Sequence, residues 1–303
     1  MRYVIALVFT VAASLVSVSC TEQTGEGAGE QDPESQRLRI GWTAWSDAEL
    51  VTQLVKSVLE ERMGIEVELV MADIGVQYQS VATAELDAML MAWLPNTHKN
   101  FWEKVSARVQ DLGVMYEGRL GLAVPTYIPE DALASIGDLA EPEVRDRLGK
   151  EITGIDPGAG LMQITETALN AYGLDDYRLV ASSGAAMTAS LARAIESEEW
   201  IVVTAWSPHW MFVRFDLRYL DDPKKVYGAK EQIHAVARPG FREDFPKVAE
   251  FLSNIGFQTS TLEELMVKAR SQDESEVAQA FFENNEAMIE SWLPDEAQAP
   301  AAN

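Results

Sequence analysis

Three tryptophans stand where apolar runs meet loops, and their setting repeats along the chain. Trp45 lies in GWTAWSDAEL just ahead of a helical stretch, Trp93 ends LMAW before Leu-Pro, and Trp206 ends VVTAW before Ser-Pro. Ligands of open α/β sheets bind at the carboxyl ends of strands, and an indole face is the best side-chain partner for a cation. Three such faces converging form a cage for a quaternary ammonium, which has no N–H to donate and is held by π-faces contributing roughly 0.5–2 kcal/mol each. Trp102, Trp200 and Trp292 sit in helical or strand-interior contexts and read as packing, while Trp42 and Trp210 fit either role. A fourth element, ITGIDPGAGLMQITETAL at 152–169, reads as strand, turn and helix start. Free backbone N–H groups at such a turn suit a carboxylate, and His98, five residues past Trp93, can add a donor. A plain tight turn and a structural histidine satisfy the same residues. His209 and His234 have no partners at metal-ligand spacing, and neither a G-x-S-x-G elbow nor an H-E-x-x-H pair is present. The residues point to binding without a metal or cofactor, not to an enzyme.

The elements that must position these residues alternate as in an α/β protein. Strands are expected at 38–42, 65–71, 86–93, 119–125, 151–155, 179–181, 200–206 and 233–238. Helices are expected at 47–63, 77–84, 98–105 with Thr97 as cap, 161–172, 185–197, 242–254, 262–270 and 275–292. Two α/β sets joined by strands near 122 and 235 imply two lobes and two crossovers: 38–122 plus 233–292 as lobe I, 123–232 as lobe II, and 293–303 as a disordered tail. A cleft between lobes is where ligand sites collect, and hinge closure is the usual motion.

The 303 residues hold 24 Lys+Arg against 48 Asp+Glu, a formal net charge of −24. That excludes a phosphate-backbone partner, which needs a basic surface, and a polybasic dock on anionic lipid. With 47 % apolar residues the chain is not disordered. A single cysteine, Cys20, excludes an internal disulfide framework. Residues 1–19 carry Arg2 and then an uncharged run with small residues at its end, a secretory signal. Small residues directly before Cys20 resemble a lipobox, with Ser17 where that pattern prefers Leu; the cysteine would then be acylated. Residues 20–37, starting CTEQTGEGAGEQ, hold no aromatic and no aliphatic larger than Ala and read as a flexible tether. The expectation is an exported monomer, anchored by lipid on Cys20, facing the periplasm or the outer side of the membrane.

AWSDAEL, AWLPNTHK, GLAVP, GIDPGAG, SGAAMTASL and VVTAWSPHWMF followed by YLDDPKKVYG, in this order, resemble the glycine-betaine/proline-betaine substrate-binding proteins of ABC importers. The resemblance spans 38–292 and implies a two-lobed periplasmic-binding-protein-like fold with a cleft between lobes. It implies a Trp45, Trp93 and Trp206 cage for the trimethylammonium, and His98 with the Gly154 and Ile155 backbone amides for the carboxylate. The implied partners are a zwitterion such as glycine betaine or proline betaine and a membrane permease. Where the family pattern often reads W-x-S-E, this chain has Trp45-Ser46-Asp47, which adds Asp47 as a candidate ligand residue and brings choline into range. Choline or carnitine binding is the alternative within the class; a tethered sensor or an exported enzyme acting on quaternary amines lies further off.

Overall fold

The computed structural model describes residues 37–272 and 274–295, so the signal segment, Cys20 and nearly all of the expected tether lie outside the described residues. The first part of the chain forms β1 (Arg37–Trp42), α1 (Ser46–Met63), β2 (Glu66–Met71), α2 (Ile74–Ala82), β3 (Ala88–Leu94), α3 (Lys99–Val105) and the long β4 (Gln110–Pro125). A 3-10 turn at Ile136–Ala140 leads into α4 (Pro142–Leu148), β5 (Glu151–Thr153), α5 (Gly160–Tyr172), β6 (Arg178–Val180) and α6 (Gly184–Glu196). Next come β7 (Val203–Ser207), α7 (Met211–Arg214), β8 (Leu217–Tyr219) and β9 (Glu231–Ala237). The chain then runs through α8 (Phe241–Asp244), α9 (Pro246–Asn254), α10 (Thr259–Ala269), α11 (Glu274–Asn284) and α12 (Glu286–Trp292).

Local sequence explains the main elements. In α1, Leu50, Val51, Leu54, Val55, Val58 and Leu59 form one buried stripe, the spacing of a helix with an apolar face. The helix stops at Gly64, whose φ of 68° is left-handed and carries no Cβ penalty in glycine. β3 reads AMLMAWL and is buried at every position, as expected of a strand covered on both faces.

The strands connect in the order β2-β1-β3-β9-β4-β7-β5-β6, with β8 also on β4. Parallel pairs, β1 with β2 and β3, and β5 with β6 and β7, flank an antiparallel centre. β4 is shared: Gln110–Gly118 pairs with β9, while residues 119–123 pair with β7. The chain therefore crosses once along β4 and returns in the segment leading into β9, dividing an α/β fold into two lobes with a cleft between them. The change of partner falls at 118–119, a few residues before the expected 122.

Some expectations shift. α2 begins at Ile74, earlier than 77, and β4 begins nine residues before 119. Thr97 does not cap α3: the residue before the helix is His98, and the Thr97 hydroxyl donates to Glu231 at 2.5 Å. The long helix expected at 275–292 breaks at Asn285. Leu293 and Pro294 are buried, so the first positions of the expected tail pack with the fold.

Candidate functional site

A cavity lies between the lobes. Trp45, Asp47, Trp93, Thr97 and His98 line it from the first lobe, and Leu120, Ile155, Ala159, Gly160, Leu161 and Trp206 from the second. Each tryptophan arrives on a strand end or helix start: Trp45 is the extended residue preceding α1, Trp93 ends β3 with Leu94, and Trp206 sits in β7. The peptides Leu94–Pro95 and Ser207–Pro208, just beyond Trp93 and Trp206, are both cis.

Two of the three indoles are held by carboxylates of the opposite lobe. Trp45 Nε1–H donates to Asp156 Oδ2 at 3.0 Å, and Trp206 Nε1–H donates to Asp47 Oδ1 at 2.9 Å. An indole N–H is a donor only, so each ring is fixed at its edge while its faces remain for apolar and cationic contact. The two bonds run in opposite directions across the cleft and tie the lobes together. The third ring is set by packing: a Cβ on Gly118 would lie 2.3 Å from Trp93 Cη2, so Trp93 lies on a backbone position that only glycine leaves open.

Asp47 is fully buried, and its second oxygen accepts from the Tyr116 hydroxyl at 2.9 Å. Burial pushes its carboxyl above the usual range; the Tyr116 and Trp206 hydrogen bonds and the backbone N–H groups of Asp47 and Ala48 pull the other way. Among the described residues no Lys or Arg forms an ion pair with it. A buried carboxylate beside π-faces complements a cation that cannot donate hydrogen bonds.

His98 is buried too, and burial lowers its pKa to about 3, so it is neutral near pH 7. Its Nδ1 accepts the Trp93 N–H at 3.1 Å, which puts the ring proton on Nε2 as a donor. The Ile155 N–H faces Met162 Sδ at 3.3 Å, a weak acceptor that a carboxylate outcompetes. The Gly154 amide departs from expectation. It donates to the Val180 carbonyl at 2.8 Å, extending the sheet, and Gly154 is not among the residues lining the cavity. A Cβ there would meet Met162 Sδ at 2.4 Å, so this glycine serves packing. Gly160 and Leu161, at the start of α5, line the cavity instead, and the first N–H groups of a helix have no intrahelical acceptor.

The structure thus brings together Trp45, Trp93, Trp206, His98, Ile155 and Asp47, and leaves Gly154 aside. Sequence reasoning missed Tyr116, Asp156, Gly118 and Glu231. Glu231 accepts the Asn96 and Thr97 N–H groups and the Thr97 hydroxyl, pinning the turn that carries His98. Asp156 was visible inside GIDPGAG; the others act from far along the chain and leave no local signal. Among the described residues no group of three His, Cys, Asp or Glu side chains is placed to hold a metal ion.

Two lobes hinged on shared strands, with an aromatic and carboxylate-bearing cavity closed between them, define a ligand-capturing binding protein of the periplasmic-binding-protein class. Residues 36–284 match the family model of the substrate binding domain of ABC-type glycine betaine transport systems, and the chain belongs to that family. It is 41 % identical over 170 residues to the glycine betaine/carnitine transport binding protein GbuC of Listeria monocytogenes, covering 55 % of this chain and 54 % of that protein. The chain therefore spans about half the length of that relative. Lactococcal OpuAC, in its closed-liganded conformation with glycine betaine, superimposes with a TM-score of 0.80 at 34 % identity, covering 86 % of this chain and all of that one. An ABC-transporter choline binding protein in complex with choline gives 0.78 at 26 % identity, covering 85 % and 91 %.

Proposed function

We propose that this protein is the extracytoplasmic substrate-binding component of an ABC importer, capturing glycine betaine or a related quaternary ammonium zwitterion and delivering it to a permease. The observation that carries this reading is the single cavity lined by Trp45, Trp93, Trp206 and neutral His98. The three indoles take the trimethylammonium, with Asp47 behind them. The His98 Nε2–H and the Ile155 N–H, aided by the start of α5, take the carboxylate. Ligand in this cavity touches both lobes, so binding favours the closed arrangement by its differential affinity. Related proteins support the ligand class: the lactococcal protein is in complex with glycine betaine, and the Listeria relative is a glycine betaine/carnitine transport binding protein. Export by the N-terminal segment and acylation of Cys20 belong to the same reading.

Choline is the second reading, favoured by one observation: the buried, cation-free Asp47 carboxylate on the cavity wall. Mass spectrometry of small molecules released from denatured, freshly purified protein separates the two. Glycine betaine is the expected mass; choline alone would shift the assignment to the second reading, and an anion or a sugar would overturn both.

A further inference from the structure

Beside the cage lies a second set of grooves, and two side chains, Trp210 and Arg270, border three of them. The nearest is lined by Trp45, Trp206, Trp210, Glu49, Gly184 and Arg270 among others. It shares Trp45 and Trp206 with the ligand cavity, so it runs along the outer side of two cage indoles. Two neighbouring grooves also include Trp210 and Arg270.

Arg270 follows α10, a helix of the C-terminal set whose Leu262, Leu265 and Met266 are buried. Its guanidinium lies over the Trp210 ring, 3.7 Å from the centroid. Trp210 belongs to the opposite lobe, three residues past β7 at the start of α7, and is buried. From there the contacts lead straight to the cage: Trp210 stands against His209 at 5.3 Å, and His209 meets Trp206 edge-on at 4.4 Å. Among the described residues Arg270 makes no ion pair, so the indole face is its seat. A planar guanidinium stacks on an indole in a way that lysine cannot copy.

We propose that Arg270 is a gate: seated on Trp210, it stops the groove that leads along Trp45 and Trp206 to the ligand, and so sets how fast ligand leaves. It is a positioning residue that acts through Trp210 and does not touch the ligand. The gate rests on the betaine reading for its ligand, and the test keeps the two apart. Release of glycine betaine is followed by stopped-flow tryptophan fluorescence in wild type, Arg270→Ala and Arg270→Lys, with acrylamide quenching of the ligand-saturated proteins as a second readout. The expected result is about tenfold faster release in Arg270→Ala, a smaller acceleration in Arg270→Lys, and stronger quenching in both. Release and quenching in Arg270→Ala within twofold of wild type would overturn the gate. Wild type that gives no betaine signal overturns the functional reading instead, and quenching of the unliganded proteins then still reads the groove. A melting temperature of Arg270→Ala matching wild type shows that any change is not a loss of fold.

Discussion

At the scale of single residues, the site is governed by how buried polar groups are used. Trp206 has two tasks, a π-face toward the cavity and an N–H on Asp47. Trp206→Phe keeps the first and removes the second, leaving Asp47 with an oxygen short of a partner. The expected loss in betaine affinity is roughly tenfold, in keeping with a hydrogen bond to a charged group, and isothermal titration reads it; no loss would mean that the indole N–H does not organise the cage. The two buried histidines make a separate prediction. His98 and His209 both fall to about pKa 3 in the fold, burial being the main cause. Between pH 6.5 and about 3 the unfolded chain therefore binds protons that the folded chain refuses, so each histidine's contribution is present above 6.5 and lost as pH falls. Urea unfolding should show His209→Gln losing stability more slowly than wild type on acidification, by up to about 1.4 kcal/mol per pH unit. Equal slopes in the two proteins would contradict a neutral, buried His209. Trp45, Trp93, Trp206 and His98, which line one cavity, each stand in a short motif that singles them out in sequence: strand–Trp–x–Pro, strand–Trp–Ser or Trp–x4–His. The hydrogen-bonded pairings were not legible: Asp156 is 111 residues from Trp45, and Asp47 is 159 from Trp206. No local pattern encodes a pair that only closure of two lobes creates.

Among elements, the start of α5 is the critical contact. A Cβ on Gly160 would lie 2.4 Å from the Thr97 carbonyl oxygen of the other lobe, so only glycine lets α5 approach the Trp93–His98 turn. Gly160→Ala should weaken betaine binding at least tenfold while leaving the unliganded melting temperature within a few degrees, since alanine favours a helix. Unchanged affinity would mean that the approach is not needed for capture. Glu231 acts on the same turn from β9, and Glu231→Ala, which strips three donors of their acceptor, should lower both stability and affinity by thermal melt and titration. Apolar patterning located most elements, as a regular stripe in α1 and as a continuous apolar run in β3. It missed the first half of β4, where Gly113 at φ 121° and two register shifts against β9 break the alternation of two. It missed α4 as well, a seven-residue helix with only Val144 and Leu148 buried, too few to show a period.

For the whole molecule, the −24 charge and the ligand must be considered together. A zwitterion carries no net charge for a distant acidic surface to attract, whereas choline does, and surface fields are screened within about 10 Å at 0.1 M salt. Raising salt from low to high ionic strength should therefore leave betaine affinity within about twofold and slow choline association; equal salt sensitivity would show that the acidic surface takes part in capture. The two-lobed class was legible because the alternation of elements and the strand-end tryptophans recur on both sides of β4. One strand, β4, serves both lobes, pairing with β9 up to Gly118 and with β7 from Arg119. The central claim is that the three indoles and the neutral histidine form one betaine site. Isothermal titration of wild type and Trp93→Ala with glycine betaine tests it most directly. Saturable one-to-one binding in wild type and its loss in a folded Trp93→Ala is the expected result; equal binding by the two proteins would contradict it.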